Sequence, residues 1–107
     1  MTEATFYFSG GMICSFGIKG HSGYDVSGSD IVCAAISSTV WMTVNALDNI
    51  LHLDVKYSVD DADVYLEVSD KDIDGAQTFL EGFRQFLCNL SAEYEKYLTV
   101  KEVQRNV

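Results

Sequence analysis

The chain has 107 residues, nearly half of them apolar (48%), which is enough for a single domain, spanning 1–107, to bury one core without disulfide or metal staples. Its 7 basic and 16 acidic residues give a net charge of -9, which repels a phosphate backbone and argues against direct nucleic-acid binding. Cys14, Cys33 and Cys88 are an odd set without CxxC spacing, and the sequence shows neither a basic-then-apolar leader nor an unbroken apolar run of about 18 residues, so reduced thiols, no membrane and a cytoplasmic location are expected.

Residues 4–8 predict a strand, Ser9, Gly10 and Gly11 a tight turn, and residues 12–20 a returning strand: a β-hairpin. Cys14, Phe16 and Ile18 share one parity and should face the core. The other parity ends on His21, on the polar side at the strand's end. Gly20, Gly23 and Gly28, with Ser22, Ser27 and Ser29, punctuate a loop up to Asp30, where a helix to about residue 51 opens. Ile36, Val40, Val44, Leu47 and Leu51 recur at steps of three and four and define its core face. Ile31, Val32, Ala34, Ala35, Trp41 and Ile50 spread apolar surface around the rest, which predicts cover by a second copy of the chain as well as by the sheet.

Residues 54–59 and 63–69 predict a second hairpin, with Asp60, Asp61 and Ala62 as a solvated turn rather than a metal site. His52, just before it, is placed to complement the end of the first helix. A second helix is expected over 72–97, with Ala76, Phe79, Leu80, Phe83, Leu87, Leu90, Tyr94 and Tyr97 as its apolar stripe. Residues 99–103 are able to make a last strand. The order ββαββα, with that strand, describes an α+β fold of two layers: two helices on a largely antiparallel sheet.

The stretch from His21 to Cys33 carries the chemistry. A free thiol is mostly protonated at neutral pH and needs help to become a nucleophile. With Asp30 as N-cap, Cys33 falls at the third helical position, where the helix dipole favours negative charge near sulfur. His21, across a glycine-containing loop, is the candidate base. Backbone N–H groups around 32–34 are candidate oxyanion donors, and Asp30 serves either as cap or as the group that orients His21. Ser37 lies one turn beyond Cys33 on the same face, as support for thiol or substrate. Ser22, Gly23, Tyr24 and Gly28 read as a flexible loop that orders over a bound peptide. From residue types alone, an inert packed thiol beside a surface imidazole is the commoner arrangement.

Gly20-His21, then Tyr24, Gly28, Asp30-Ile31-Val32-Cys33-Ala34-Ala35 and Ser37, resembles the pattern of the bacterial ribosomal-processing cysteine protease family (Prp, YsxB-like), and length and element order agree over nearly the whole chain. The resemblance implies a homodimeric cytosolic endopeptidase that removes a short N-terminal extension from protein twenty-seven of the large ribosomal subunit. Its catalytic cysteine and histidine carry over onto Cys33 and His21, and its helix-start aspartate and following serine onto Asp30 and Ser37. Ser22 departs from the alanine usual after the histidine. No cofactor is expected. Two readings of other classes stand beside it: a non-catalytic, dimeric, ribosome-associated interaction module, and a redox-sensing thiol.

Overall fold

Two glycines set the first hairpin. β1 (Thr2–Ser9) and β2 (Met12–Lys19) are joined through Gly10 and Gly11 at φ 58° and 82°, the left-handed pair that a two-residue turn between twisted strands requires. The computed structural model describes residues 1–26 and 30–105. In the hairpin, Tyr7 faces Ser15 but Phe8 faces Ile13, so Cys14 is the extra residue of a β-bulge. The parity read from the sequence therefore holds for Phe16 and Ile18 and passes to Ile13 beyond the bulge. Cys14 is buried there, its S–H directed at the Tyr7 carbonyl at 3.4 Å.

α1 (Ile31–Val44) continues into a π-helical turn, Asn45–Ile50, in which the Leu51 N–H reaches back five residues to the Ala46 carbonyl at 2.9 Å. The wider turn shifts the apolar stripe: Ile36, Val40, Val44 and Leu47 are buried, whereas Leu51, expected on the core face, is rotated into solvent. His52 closes the run through its backbone, at φ 54°, which lets the Leu53 N–H bond the Leu47 carbonyl at 2.9 Å. Together these segments make a 20-residue helical run of mean hydropathy 1.4, long and apolar enough by length and composition to cross a membrane. The serines and threonines that interrupt its apolar residues hide this in a search for unbroken runs. Its inward face is packed in the core with both hairpins and the second helix.

β3 (Val55–Asp60) and β4 (Asp63–Val68) form the second hairpin, whose turn includes Ala62 at φ 61°. A 3₁₀ turn, Asp70–Asp72, leads into α2 (Ile73–Glu93), and β5 (Leu98–Gln104) follows. The helix stops at Glu93 rather than continuing to residue 97 because the segment beyond it joins the sheet. The Tyr97 carbonyl accepts from the Thr2 N–H at 2.9 Å, and the Ser91 hydroxyl bonds the Leu98 carbonyl at 2.7 Å. Ile73, Ala76, Leu80, Phe83 and Leu87 are buried, while Phe79, counted in the stripe from the sequence, is 38% exposed.

The sheet order is β3-β4-β2-β1-β5, antiparallel except for the parallel pair β1 and β5. This is the expected α+β arrangement, with the last strand in place. β1 alternates buried Thr2, Ala4, Phe6 and Phe8 with more exposed neighbours, so one sheet face takes the helices. The rings of Phe6, Phe16 and Phe83 join β1, β2 and α2, with centroids 4.8 to 5.8 Å apart. Beside the bulge, the Gln77 amide both accepts from the Ile13 N–H at 2.9 Å and donates to the Ile13 carbonyl at 2.7 Å. Backbone groups that the ladder leaves unpaired are thereby satisfied.

Candidate active site

Asp30 begins α1 as its N-cap. One carboxylate oxygen, Oδ1, accepts from the Val32 and Cys33 N–H groups, both at 3.0 Å, and the Ala34 N–H bonds the Asp30 carbonyl at 3.0 Å. The first-turn donors that the sequence offered to an oxyanion are thus occupied by the cap. The other oxygen, Oδ2, accepts from the Ser22 hydroxyl and from the Tyr24 and Asp25 N–H groups at 3.2 and 3.5 Å. Burial pushes the Asp30 carboxyl up, but the bonds from the Ser22 hydroxyl, the Cys33 and Asp25 amides and the Cys33 side chain outweigh it and hold the group at about 2. Of the two roles open to Asp30, its hydrogen bonds serve the cap and the loop. Among the described residues none goes to His21.

Cys33 is half-buried at the third helical position, and its sulfur meets Ser22. The Ser22 N–H points at Sγ from 3.5 Å, and the thiol is directed at the Ser22 hydroxyl, also at 3.5 Å. Ser22, read from the sequence as part of a flexible loop, is only 2% exposed. Tyr24, from the same loop, packs edge-on to Tyr94 and Tyr97 with centroids 5.5 and 5.1 Å away. Gly23 takes φ 74°, and Gly28 lies outside the described residues. In this arrangement residues 22–25 are docked on the helix start by the hydrogen bonds to Asp30.

His21 is set by Gly20. The Gly20 N–H bonds the Ala62 carbonyl at 2.9 Å, and its carbonyl accepts from the Thr2 hydroxyl at 3.0 Å. The imidazole that follows is exposed, with Nε2 at 3.7 Å from Asp61 Oδ2. No hydrogen bond joins it to Cys33. Both residues line one cleft of about 830 Å³, together with Ser37, Trp41, Asp60 and Asp61. Ile18, Ile36, Val40 and Val64 give it an apolar floor, and its acidic rim carries no lysine or arginine among the described residues. A cleft of this size and character accommodates a peptide with apolar side chains.

The sequence matches the family model described as cysteine protease Prp over residues 1–99. The chain belongs to the Prp cysteine protease family. Its fold is similar to that of SMU.848 from Streptococcus mutans, at 29% identity and a TM-score of 0.82, covering 98% of this chain and 96% of that one. It is also similar to the essential ribosomal processing protease Prp from S. aureus in complex with a covalently linked product peptide, at 23% identity and a TM-score of 0.88, and with a substrate peptide, at 22% and 0.82; each covers 95% of this chain and 99% of the other. No curated protein sequence matches.

As a Prp family member the chain is a cysteine protease, and the cleft holds residues that sequence reasoning passed over. Trp41 follows Cys33 and Ser37 at steps of four, a spacing that puts all three along one helix line, yet its place among the apolar residues off the core face suggested an interface. Asp60 and Asp61 read as a solvated turn; only the pairing of β4 with β2 brings that turn beside His21, and no local signal reports it.

Proposed function

We propose that this Prp family protease is an endopeptidase in which Cys33 is the nucleophile and His21 the base, and that it removes the N-terminal extension of protein twenty-seven of the large ribosomal subunit. The observation that supports it most is a thiol at a helix start and an imidazole opening into the same peptide-sized cleft. The S. aureus relative, described as a ribosomal processing protease and seen with substrate and product peptides, supports the substrate class.

In the reaction, His21 takes the thiol proton as sulfur adds to the scissile carbonyl, forming the C–S bond and an oxyanion. Collapse breaks the C–N bond, and the imidazolium returns the proton to the departing amine. Water, deprotonated by His21, then hydrolyses the thioester. Peptide binding must bring the exposed imidazole from Asp61 to the sulfur across the cleft that both residues line. Asp30 and Ser37 have supporting roles, the first by holding the helix start. The chain works in the cytoplasm as a homodimer, with the acidic rim suited to a basic ribosomal protein.

The test is cleavage of a peptide bearing the extension. Cys33→Ala and His21→Ala should each lose nearly all turnover while keeping the parent's circular dichroism, and Cys14→Ser and Cys88→Ser should retain it. Comparable cleavage by Cys33→Ala and the parent ends the proposal.

A further inference from the structure

The Ser22 hydroxyl has no unused hydrogen-bonding capacity. A hydroxyl offers one donor and two acceptor positions. Here the donor goes to Asp30 Oδ2, one acceptor position takes the Tyr24 N–H at 3.2 Å, and the other faces the Cys33 thiol at 3.5 Å. Bonds to an ionised acceptor are the stronger kind, so the single hydroxyl proton is committed to Asp30. Sulfur can therefore be satisfied by this oxygen only as a donor, while it still carries its proton. A thiolate in the same place would face an oxygen lone pair in a site where Ser22 is almost fully buried.

We propose that Ser22 is a positioning residue that latches Cys33 as a neutral thiol in the substrate-free enzyme, the chain Cys33 S–H to Ser22 O–H to Asp30 carboxylate being its resting state. The inference rests on Cys33 being the nucleophile. With His21 turned to Asp61 at 3.7 Å, base and nucleophile are each paired elsewhere until a peptide enters. The Ser22 N–H, also aimed at sulfur, acts in the opposite sense, since it favours the thiolate. The backbone thus serves the reacting form and the side chain the stored form. An idle protease protected in this way reacts less readily with electrophiles and oxidants.

The ionisable groups that share the cleft with the thiol are His21 at the end of β2, Asp25 in the loop, Asp30 at the start of α1, and Asp60 and Asp61 in the β3–β4 turn. Replacing Ser22 removes none of these charges; Asp30 loses the bond from the Ser22 hydroxyl but keeps the Val32, Cys33, Tyr24 and Asp25 amides that favour its ionised form. The measurement is iodoacetamide labelling of Cys33 against pH in the substrate-free protein, read at that residue by peptide mass spectrometry. In Ser22→Ala the profile should move to lower pH, with labelling at fixed pH below the midpoint about threefold to tenfold faster, the range expected for losing one neutral hydrogen bond. Ser22→Thr, which restores the hydroxyl, should return to the parent profile. A change in packing alone does not reverse with the hydroxyl. An unshifted or upward-shifted profile in Ser22→Ala overturns the latch, as does a Ser22→Thr profile that follows Ser22→Ala. If Ser22→Ala does not fold, Ser22→Gly, which also lacks the hydroxyl, replaces it with the same expectation. Because labelling needs no turnover, a parent protein that labels as described but cuts no peptide overturns the protease assignment and not the latch.

Discussion

His21 Nε2 lies 3.7 Å from Asp61 Oδ2, and both side chains are mostly exposed. An exposed pair at this distance contributes little to stability and is screened by salt. Its effect is on where the imidazole points. Asp61→Ala is expected to leave the thermal midpoint unchanged and to leave peptide turnover equal to the parent's or a few-fold higher, because the base is released toward the thiol. A large loss of turnover at constant KM would instead make Asp61 an essential partner of His21.

Asp30 carries the helix start and the loop on two oxygens of one carboxylate. Asp30→Ala should cost about 1–2 kcal/mol for the cap alone, and more as residues 22–25 lose their acceptor. Asp30→Asn, which keeps an oxygen for the cap, should recover part of that loss. Chemical denaturation of the three proteins at neutral pH measures the difference.

The same carboxyl makes stability depend on acid. Its folded value, about 2, lies below the ordinary 3.8, so ionised Asp30 contributes stability that is complete above about pH 4 and disappears as pH falls through 2. The contribution is at most about 2 kcal/mol. The gap in unfolding free energy between the parent and Asp30→Asn should accordingly narrow from pH 5 to pH 2 and hold steady from pH 5 to pH 7. A gap independent of pH over the acid range counts against the ionised cap.

Gly20 sits at φ 90°, and a Cβ there would lie 2.6 Å from the Met1 carbonyl oxygen. Both backbone strain and a backbone clash oppose any side chain. Gly20→Ala should destabilise the fold by roughly 1–3 kcal/mol and displace His21, lowering turnover even at temperatures where the protein is folded. A variant as active and stable as the parent would show that the start of β1 yields.

Met42 on α1 and Ile50 at the end of the π-helical turn are 61% and 72% exposed, and Leu51, which caps that turn, is exposed as well. This apolar surface is what the proposed two-fold dimer has to cover. Sedimentation at micromolar concentration should give a dimer for the parent and a monomer for Met42→Asp combined with Ile50→Asp. A monomeric parent would remove the dimer from the proposal.

The pattern of the sequence reached the elements whose residues report on themselves. Gly10 and Gly11 announced the hairpin, the steps from Ile36 to Leu47 the helix, and Asp30 three residues before Cys33 the cap. Where a second element decides the outcome, local signals failed. The bulge at Cys14 moved core parity to Ile13, with Gln77 from α2 bonding the backbone beside it. The π turn rotated Leu51 outward, and the demand of β1 for a partner ended α2 at Glu93. In the candidate site, Ser22 read only as part of a flexible substrate loop because nothing near it in sequence shows that Asp30 and Cys33 converge on its hydroxyl.

The parallel pairing of β1 with β5 joins Thr2 to Leu98 and Phe8 to Gln104, so the first strand of the sheet to be synthesised waits for its last. Until residues 98–104 leave the ribosome, β1 is an open sheet edge, and Tyr24 lacks the support of Tyr97 for the loop that carries Ser22. The cleft therefore completes late in synthesis. A ribosome-tethered chain stalled before residue 98 should show the loop unprotected in hydrogen exchange and no cleavage of peptide, so that proteolytic competence arrives with the closing strand rather than with the residues that perform the chemistry.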